Sequence, residues 1–540
     1  MNARRGGLLV AGTTSDAGKS LVTAGICRWL ARQGVRVAPY KAQNMSNNSM
    51  VCPDGSEIGR AQWVQAMAAG VVPEAAMNPV LLKPGSDRTS HIVLRGRPYG
   101  TLRAGQYAGG RQVLAEAAFE ALADLRSRFD AVICEGAGSP AEINLRAGDY
   151  VNMGLARHAD LPVVVVADVD RGGSLAAMYG TLALLEPADQ RLLVGFVVNK
   201  FRGDVDVLRP GLDRIAELTG RPVLGVLPWL DGVWIDSEDA LAVGGWAAGA
   251  HGDDPQCAGH GAHPAGRNGS RQTLSVAVVR FPRVSNATDV DALACEPGVT
   301  VTLTADPDVV AAADLVVLPG SRATVADLDW MRRRGLDHAV AARADGGRPV
   351  LGICGGYQML AQRIVDPIES GQTVDGLGLL PTEVTFGAAK MLGRPLGSWR
   401  GHDVHAYEIH HGIATLHDDP ARMTRADADG LRPRVGGSAH STGSYEEFLD
   451  GFRAGSVWGT TWHGAFENDG FRRAWLTEVA ETIGHGWRPS AAAPGFAAQR
   501  ELMLDHLADA VAQHLDTAAL LTLIESGVPD GLPLVRPSTG

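Results

Sequence analysis

The chain has 540 residues, more than a single hydrophobic core accommodates, so two or more domains are expected. Its 45% apolar and 20% charged residues are ordinary for a globular protein, and a formal charge of −11 excludes the broad basic face a nucleic-acid binder needs. Cys27, Cys52, Cys134, Cys257, Cys295 and Cys354 show no C-x-x-C spacing, which argues against a zinc site or a disulfide framework and for reduced thiols. The most apolar run, Leu161–Ala167, is too short to span a bilayer, and Arg4-Arg5 precedes only a brief apolar stretch, so neither a membrane span nor a signal peptide is expected. The expectation is a soluble cytoplasmic protein.

From the N-terminus, Gly7–Ala11 reads as a strand feeding Gly12-Thr-Thr-Ser-Asp-Ala-Gly-Lys-Ser20. A helix N-terminus offers unpaired N–H groups and partial positive charge, and glycines let a polyphosphate approach them. Gly12, Thr13, Thr14, Gly18, Lys19 and Ser20 are therefore expected to hold a nucleoside triphosphate. Lys19 reaches the terminal phosphates and Ser20 suits Mg²⁺; the G-x5-G-K-S spacing is one residue longer than the usual phosphate loop. Further strands are expected at Val35–Tyr40, Ala131–Glu135, Pro162–Ala167, Leu193–Asn199 and Val223–Leu227. Alternating with helical stretches, they predict a parallel sheet over residues 1–245. Glu135, at a strand end before Gly136-Ala-Gly138, is placed to hold Mg²⁺ opposite Ser20. Asp54 is a third ligand candidate, although Pro53-Asp-Gly55 is equally an ordinary turn. Asn199 lies where the base of a nucleotide would sit. Arg202 replaces the acid of a guanine reader, which favours ATP.

Residues 246–271, rich in Gly, Ala, His and Pro, read as a linker, and residues 272–485 as a second α/β domain with strands at Leu274–Val279, Leu315–Leu318, Pro349–Ile353 and Val457–Thr461. Gly352-Ile-Cys-Gly-Gly356 places a cysteine on a sharp strand-to-helix turn, where helix N–H groups lower a thiol pKa. The N–H of Gly355 and the turn Leu318-Pro-Gly-Ser321 are candidate oxyanion donors. A base is needed on a neighbouring strand end, and His463 fits. The histidines of Gly401–Gly412 lack the cysteine or carboxylate set of a metal site. Apolar positions Leu502, Leu504, Leu507, Val511 and Leu515 predict terminal amphipathic helices in a tail over residues 486–540. Nothing in the sequence decides between a monomer and a homo-oligomer.

The chain resembles the cobyric acid synthase family of glutamine-hydrolysing amide synthases. Gly12–Ser20 looks like that family's phosphate loop, shared with dethiobiotin synthetase. Gln43–Asn48, Glu57–Gln62, Met77–Pro84, Glu135–Leu145, Asp168–Gly173, the Cys354 elbow, Tyr407–His410 and His463-Gly are similar to its more specific segments, while residues beyond about 485 carry little of the likeness. The resemblance implies a dethiobiotin synthetase-like phosphate-loop domain followed by a class I glutamine amidotransferase-like domain. It implies ATP- and Mg²⁺-dependent amidation of peripheral carboxylates of adenosylcobyrinic acid a,c-diamide, with glutamine as nitrogen donor and the corrinoid polycarboxylate as acceptor. The polar residues Lys41, Gln43, Asn44, Asn47 and those of Lys83–Arg97 are candidates for its rim. Ammonia is expected to travel a shielded path between the two sites. The nearest competing readings are the sibling cobyrinic acid a,c-diamide synthase and a non-enzymatic ATP switch of the partition type. Amidotransferases of the wider class carry His-x-Glu, whereas His463 is followed by Gly464 and Ala465, leaving Glu467 and Glu408 as guesses for a third triad member.

Overall fold

The structure, a computed structural model, describes residues 6–86, 89–103, 107–233, 273–416 and 445–535. The expected linker 246–271, with Cys257, lies outside the described residues. The chain divides into two compact units, one of residues 1–236 with 499–540 and one of residues 237–498. No helix among the described residues is long and apolar enough to cross a membrane.

In the first unit six strands form one sheet: β1 (Gly6–Gly12), β2 (Val37–Tyr40), β3 (Ala131–Glu135), β4 (Val163–Asp168), β5 (Leu193–Phe201) and β6 (Val223–Pro228), in the order β6-β5-β4-β1-β3-β2. All neighbours run parallel. Their continuous apolar runs follow from burial on both faces. Leu9, Ala11, Val163 and Val165 enter one core, and Leu8, Val10, Val164 and Val166 enter the other. The six strands match the sequence expectation to within two or three residues. A four-stranded sheet built on Val80–Ser86, Thr89–Leu94 and Arg97–Arg103 was not anticipated. The residues set apart above as a tail form helices Phe496–His514 and Thr517–Ser526, and from Gln499 onward they belong to this unit. Leu504, Leu507, Val511, Leu520 and Ile524 complete the second core, while Leu502 faces outward. Contact with the helix Lys19–Arg32 is close because Gly25 has no side chain: a Cβ there would lie 2.9 Å from Val511 Cγ2.

The second unit has a seven-stranded sheet. Its strands are β7 (Leu274–Val279), β8 (Val299–Thr304), β9 (Leu315–Leu318), β10 (Val350–Ile353), β12 (Tyr445–Phe448), β13 (Gly451–Ala454) and β14 (Val457–Thr460), in the order β8-β7-β9-β10-β14-β13-β12; β11 (Glu408–Leu416) lies in a separate sheet. The strands from β8 to β14 run parallel, and β13 and β12 are added antiparallel. The β8 strand escaped the sequence reading because its residues alternate between buried and exposed and carry threonines rather than a continuous apolar run. The antiparallel pairing of Thr382–Gly393 with β11 also escaped it.

Candidate active sites

In the first unit the loop after β1 leads into the helix Lys19–Arg32. Gly18 adopts φ +94°, a left-handed value that favours glycine, and a Cβ there would lie 2.1 Å from Asn199 Nδ2. Lys19 is buried and its Nζ donates to the carbonyls of Thr14 at 2.9 Å and Ser15 at 2.8 Å, so the loop folds around the ammonium. Ser20 Oγ donates to Glu135 Oε1 at 2.7 Å. Lys41 Nζ reaches the same oxygen at 2.9 Å, and Gln65 Nε2 donates to Oε2 at 2.6 Å. Burial pushes the Glu135 carboxyl up, but the charge of Lys41 and the bonds from Gln65, Lys41 and Ser20 outweigh it, so Glu135 is held as a carboxylate.

The pair Ser20–Glu135 fits Mg²⁺. A hydroxyl and a carboxylate converge, leaving the rest of an octahedral oxygen shell to phosphate oxygens and water. Among the described residues no three His, Cys, Asp or Glu side chains gather as a metal site. Asp54 is spent on its own turn, its Oδ1 accepting from the N–H of Ser56 at 2.9 Å and from its hydroxyl at 2.6 Å. This is the ordinary turn reading of Pro53-Asp-Gly55, and it takes the acid away from the expected ligand role. Asn199 Nδ2 donates to the Ala17 carbonyl at 2.9 Å, so this side chain touches the phosphate loop. Further along, the Arg202 guanidinium stacks 4.0 Å over the Trp229 ring, at the ends of β5 and β6.

In the second unit Cys354 follows β10 at φ 50° and ψ −109°, a strained conformation for a non-glycine residue. The strain therefore sits on the cysteine itself. The surrounding glycines serve close approach instead: a Cβ on Gly356 would lie 1.9 Å from the Leu318 carbonyl, on Gly352 2.7 Å from Tyr357 N, and on Gly355 2.7 Å from Ser321 N. The turn Leu318–Ser321 is thus packed against Gly355, as two oxyanion-donating loops must be.

The His463 side chain is close enough to Cys354 for each to shift the other's pKa. Its Nδ1 lies 2.7 Å from Asp289 Oδ2, and Asp289 Oδ1 accepts from the N–H of Gly464 at 2.8 Å. Tyr407 fixes the histidine from another side, exchanging two backbone hydrogen bonds with it and stacking its ring at 5.3 Å. Burial lowers the His463 pKa, but the charges of Asp289 and Cys354 more than reverse this and raise it. Burial raises the Cys354 thiol, and the charge and hydrogen bond of His463 pull it below the ordinary value. A cysteine, an imidazole and a carboxylate thus stand in the order required for cysteine nucleophilic catalysis.

The third member of this arrangement is therefore Asp289, and neither Glu467 nor Glu408 holds the ring. Glu467 ends a short turn, Ala465–Glu467, while Glu408 lies 3.6 Å from a different histidine, His410. Asp289 stands on the short helical turn Ala287–Val290, 174 positions before His463. Chain spacing carries no signal for that contact; the only hint is an acid shortly after a predicted strand, β7. Replacing Asp289 by Asn should lower glutamine hydrolysis by about a hundredfold or more, because an unoriented imidazole adopts the wrong tautomer. Steady-state glutaminase kinetics check this, and a rate within about twofold of wild type would remove Asp289 from the triad.

Fold and site together define a two-unit amidotransferase: a phosphate-loop nucleotide-binding unit and a Cys–His–Asp glutamine-hydrolysing unit on one chain. Family models agree, with a CobQ/CobB/MinD/ParA nucleotide binding domain matching residues 8–242 and a CobB/CobQ-like glutamine amidotransferase domain matching residues 275–471. The chain is 55% identical over 522 residues to the cobyric acid synthase of Cutibacterium acnes, covering 96% of this chain and 99% of that one. It is 56% identical to the cobyric acid synthase of Nocardia farcinica and 55% identical to that of Streptomyces avermitilis, each match covering 98% of this chain and 99% of the relative. The chain belongs to the cobyric acid synthase family. At 98% coverage the likeness reaches well into the residues beyond 485, where the motifs alone had shown little of it.

Proposed function

We propose that this protein uses ATP, Mg²⁺ and glutamine to amidate the b, d, e and g carboxylates of adenosylcobyrinic acid a,c-diamide, giving adenosylcobyric acid in cytoplasmic cobalamin biosynthesis. The observation that carries this reading is the presence in one chain of the Lys19–Ser20–Glu135 phosphate-loop cluster and the Cys354–His463–Asp289 constellation. A partition-type ATP switch has no use for the second.

In this reading the loop N–H groups and Lys19 hold the triphosphate and draw charge from the γ-phosphate while a corrinoid carboxylate attacks it and ADP departs. The acyl phosphate so formed is a far better electrophile than the carboxylate. Mg²⁺, held by Ser20 and Glu135, would neutralise charge on the phosphate oxygens. In the other unit the Cys354 thiolate attacks the side-chain amide of glutamine, and Gly355 N–H supports the oxyanion. The His463 imidazolium then protonates the departing amide nitrogen, releasing ammonia, and the neutral ring activates water to hydrolyse the thioester. Ammonia attacks the acyl phosphate, forming the amide and releasing phosphate.

Incubation with ATP, glutamine and defined corrinoids, followed by mass spectrometry, tests the assignment. Amidation at the b, d, e and g positions of the a,c-diamide is expected; amidation confined to the a and c carboxylates of cobyrinic acid would point to the sibling synthase. Nucleotide choice is a second test. Arg202, stacked on Trp229, stands where a guanine reader needs an acid. ATP should exceed GTP in kcat/KM by roughly tenfold or more, the worth of one charge-assisted hydrogen bond. Equal efficiency with both nucleotides would refute that reading.

A further inference from the structure

Beside the Cys354–His463–Asp289 constellation lies a second buried imidazole that no step of the mechanism uses. The carbonyl of Ile409 on β11 lies 4.0 Å from Cys354 Sγ, which brings this strand against the nucleophile. Its neighbours Glu408 and His410, two residues apart on a strand, point to a common face. The His410 side chain is only 8% exposed. Its Nδ1 lies 2.8 Å from the carbonyl of Gly412, and since a carbonyl only accepts, Nδ1 carries the hydrogen. Nε2 is buried, makes no hydrogen bond among the described residues, and stands 3.6 Å from Glu408 Oε2.

That geometry decides the protonation state. A neutral ring with its hydrogen on Nδ1 would aim a bare Nε2 lone pair at a carboxylate in a poorly solvated place, which is repulsive. A proton on Nε2 turns the contact into an attraction. Buried Asp450, which accepts from Thr460 Oγ1 at 2.5 Å, and the Cys354 thiolate add negative charge on other sides. Burial lowers the His410 pKa, but Glu408, Cys354 and Asp450 together raise it. The groups whose charges act on Cys354 are then His463 and His410, which favour the thiolate, and Asp289, which opposes it.

We propose that His410 is a positioning residue of the glutaminase site: a second imidazolium, fixed by Glu408, that stabilises the Cys354 thiolate together with His463, both as it attacks the amide and as it departs from the thioester. The need arises from the mechanism proposed above, on which this inference rests. In that mechanism His463 gives its proton to the departing amide nitrogen and regains one from the attacking water, so its charge changes during the cycle, whereas the sulfur must both attack and depart as a thiolate. A cation outside the proton path supports that departure without being consumed by it.

The test is the pH dependence of Cys354 alkylation by iodoacetamide, from about pH 5 to about pH 9, followed by peptide mass spectrometry in wild type, His410→Gln and Glu408→Gln. Each substitution should move the alkylation midpoint upward by about one pH unit, so that alkylation well below the midpoint slows about tenfold. A purely structural role for His410 would not shift this profile. Should His410→Gln fail to fold, Glu408→Gln, which keeps the side-chain volume and removes only the charge, decides alone. Profiles that superimpose on wild type overturn the proposal for His410 and leave the nucleophile untouched. Wild-type glutaminase activity that survives complete alkylation of Cys354 overturns the nucleophile reading and this inference with it.

Discussion

Replacing Cys354 by Ala or Ser should abolish glutamine-dependent amidation, by about ten-thousandfold or more, while amidation driven by high ammonia persists. The thiol is irreplaceable for a physical reason. Cys354 combines a backbone strained at φ 50° with a neighbouring imidazole whose charge pulls the thiol pKa below its ordinary value. Cys27 and Cys134 are buried thiols whose pKa values burial pushes up, to about 12 for Cys134, so they cannot substitute. Ammonia enters after the thioester step and meets the acyl phosphate made by the other unit, which the substitution leaves intact. The measurement is a paired rate with glutamine and with ammonium chloride at a pH where free ammonia is abundant. Retention of the wild-type glutamine rate would mean that the nucleophile lies elsewhere.

Lys19→Ala should act on both nitrogen sources. Its ammonium is held by the Thr14 and Ser15 carbonyls of the loop proposed above to bind the triphosphate. Removing it deletes the side chain that faces charge developing on the γ-phosphate, and the rate should fall by about a hundredfold or more with glutamine and with ammonia alike. Glutamine hydrolysis assayed alone should continue, since Cys354, His463 and Asp289 are untouched. Near-normal ammonia-driven amidation in this variant would remove Lys19 from the phosphate site. The two variants thus separate the half-reactions from opposite directions.

The parts of the molecule legible in the sequence are those in which local pattern and final environment coincide. β4, with four consecutive valines, can only be a strand buried on both faces, and Gly18-Lys-Ser20 on a strand-to-helix junction announces a phosphate loop by its own chemistry. Cys354 and His463 were readable because each lies at a strand end beside a glycine. Asp289 was not, because its partnership with His463 comes from the adjacency of strand ends that are remote in the chain. For Asn199 the strand end predicts where the side chain starts, whereas its bond to the Ala17 carbonyl comes from the folded loop and could not be read from the chain. Glu408 shows the same limit. A carboxylate near histidines in the chain says nothing about which ring it meets, and it meets His410.

The packing of helix Phe496–His514 and its successor onto the second core of the first unit bears on the order in which the protein can be made. Ribosomal synthesis delivers β1 to β6 first, then all of residues 237–498, and only afterwards Leu504, Leu507, Val511, Leu520 and Ile524. At about 5–20 residues per second that interval is on the order of tens of seconds. Throughout it, the apolar face formed by Leu8, Val10, Val164 and Val166, with the helix carrying Gly25, lacks part of its cover. Nascent chains of this protein are therefore most exposed to chaperones and proteases at their earliest-made end, and that exposure closes only when the last helices leave the ribosome.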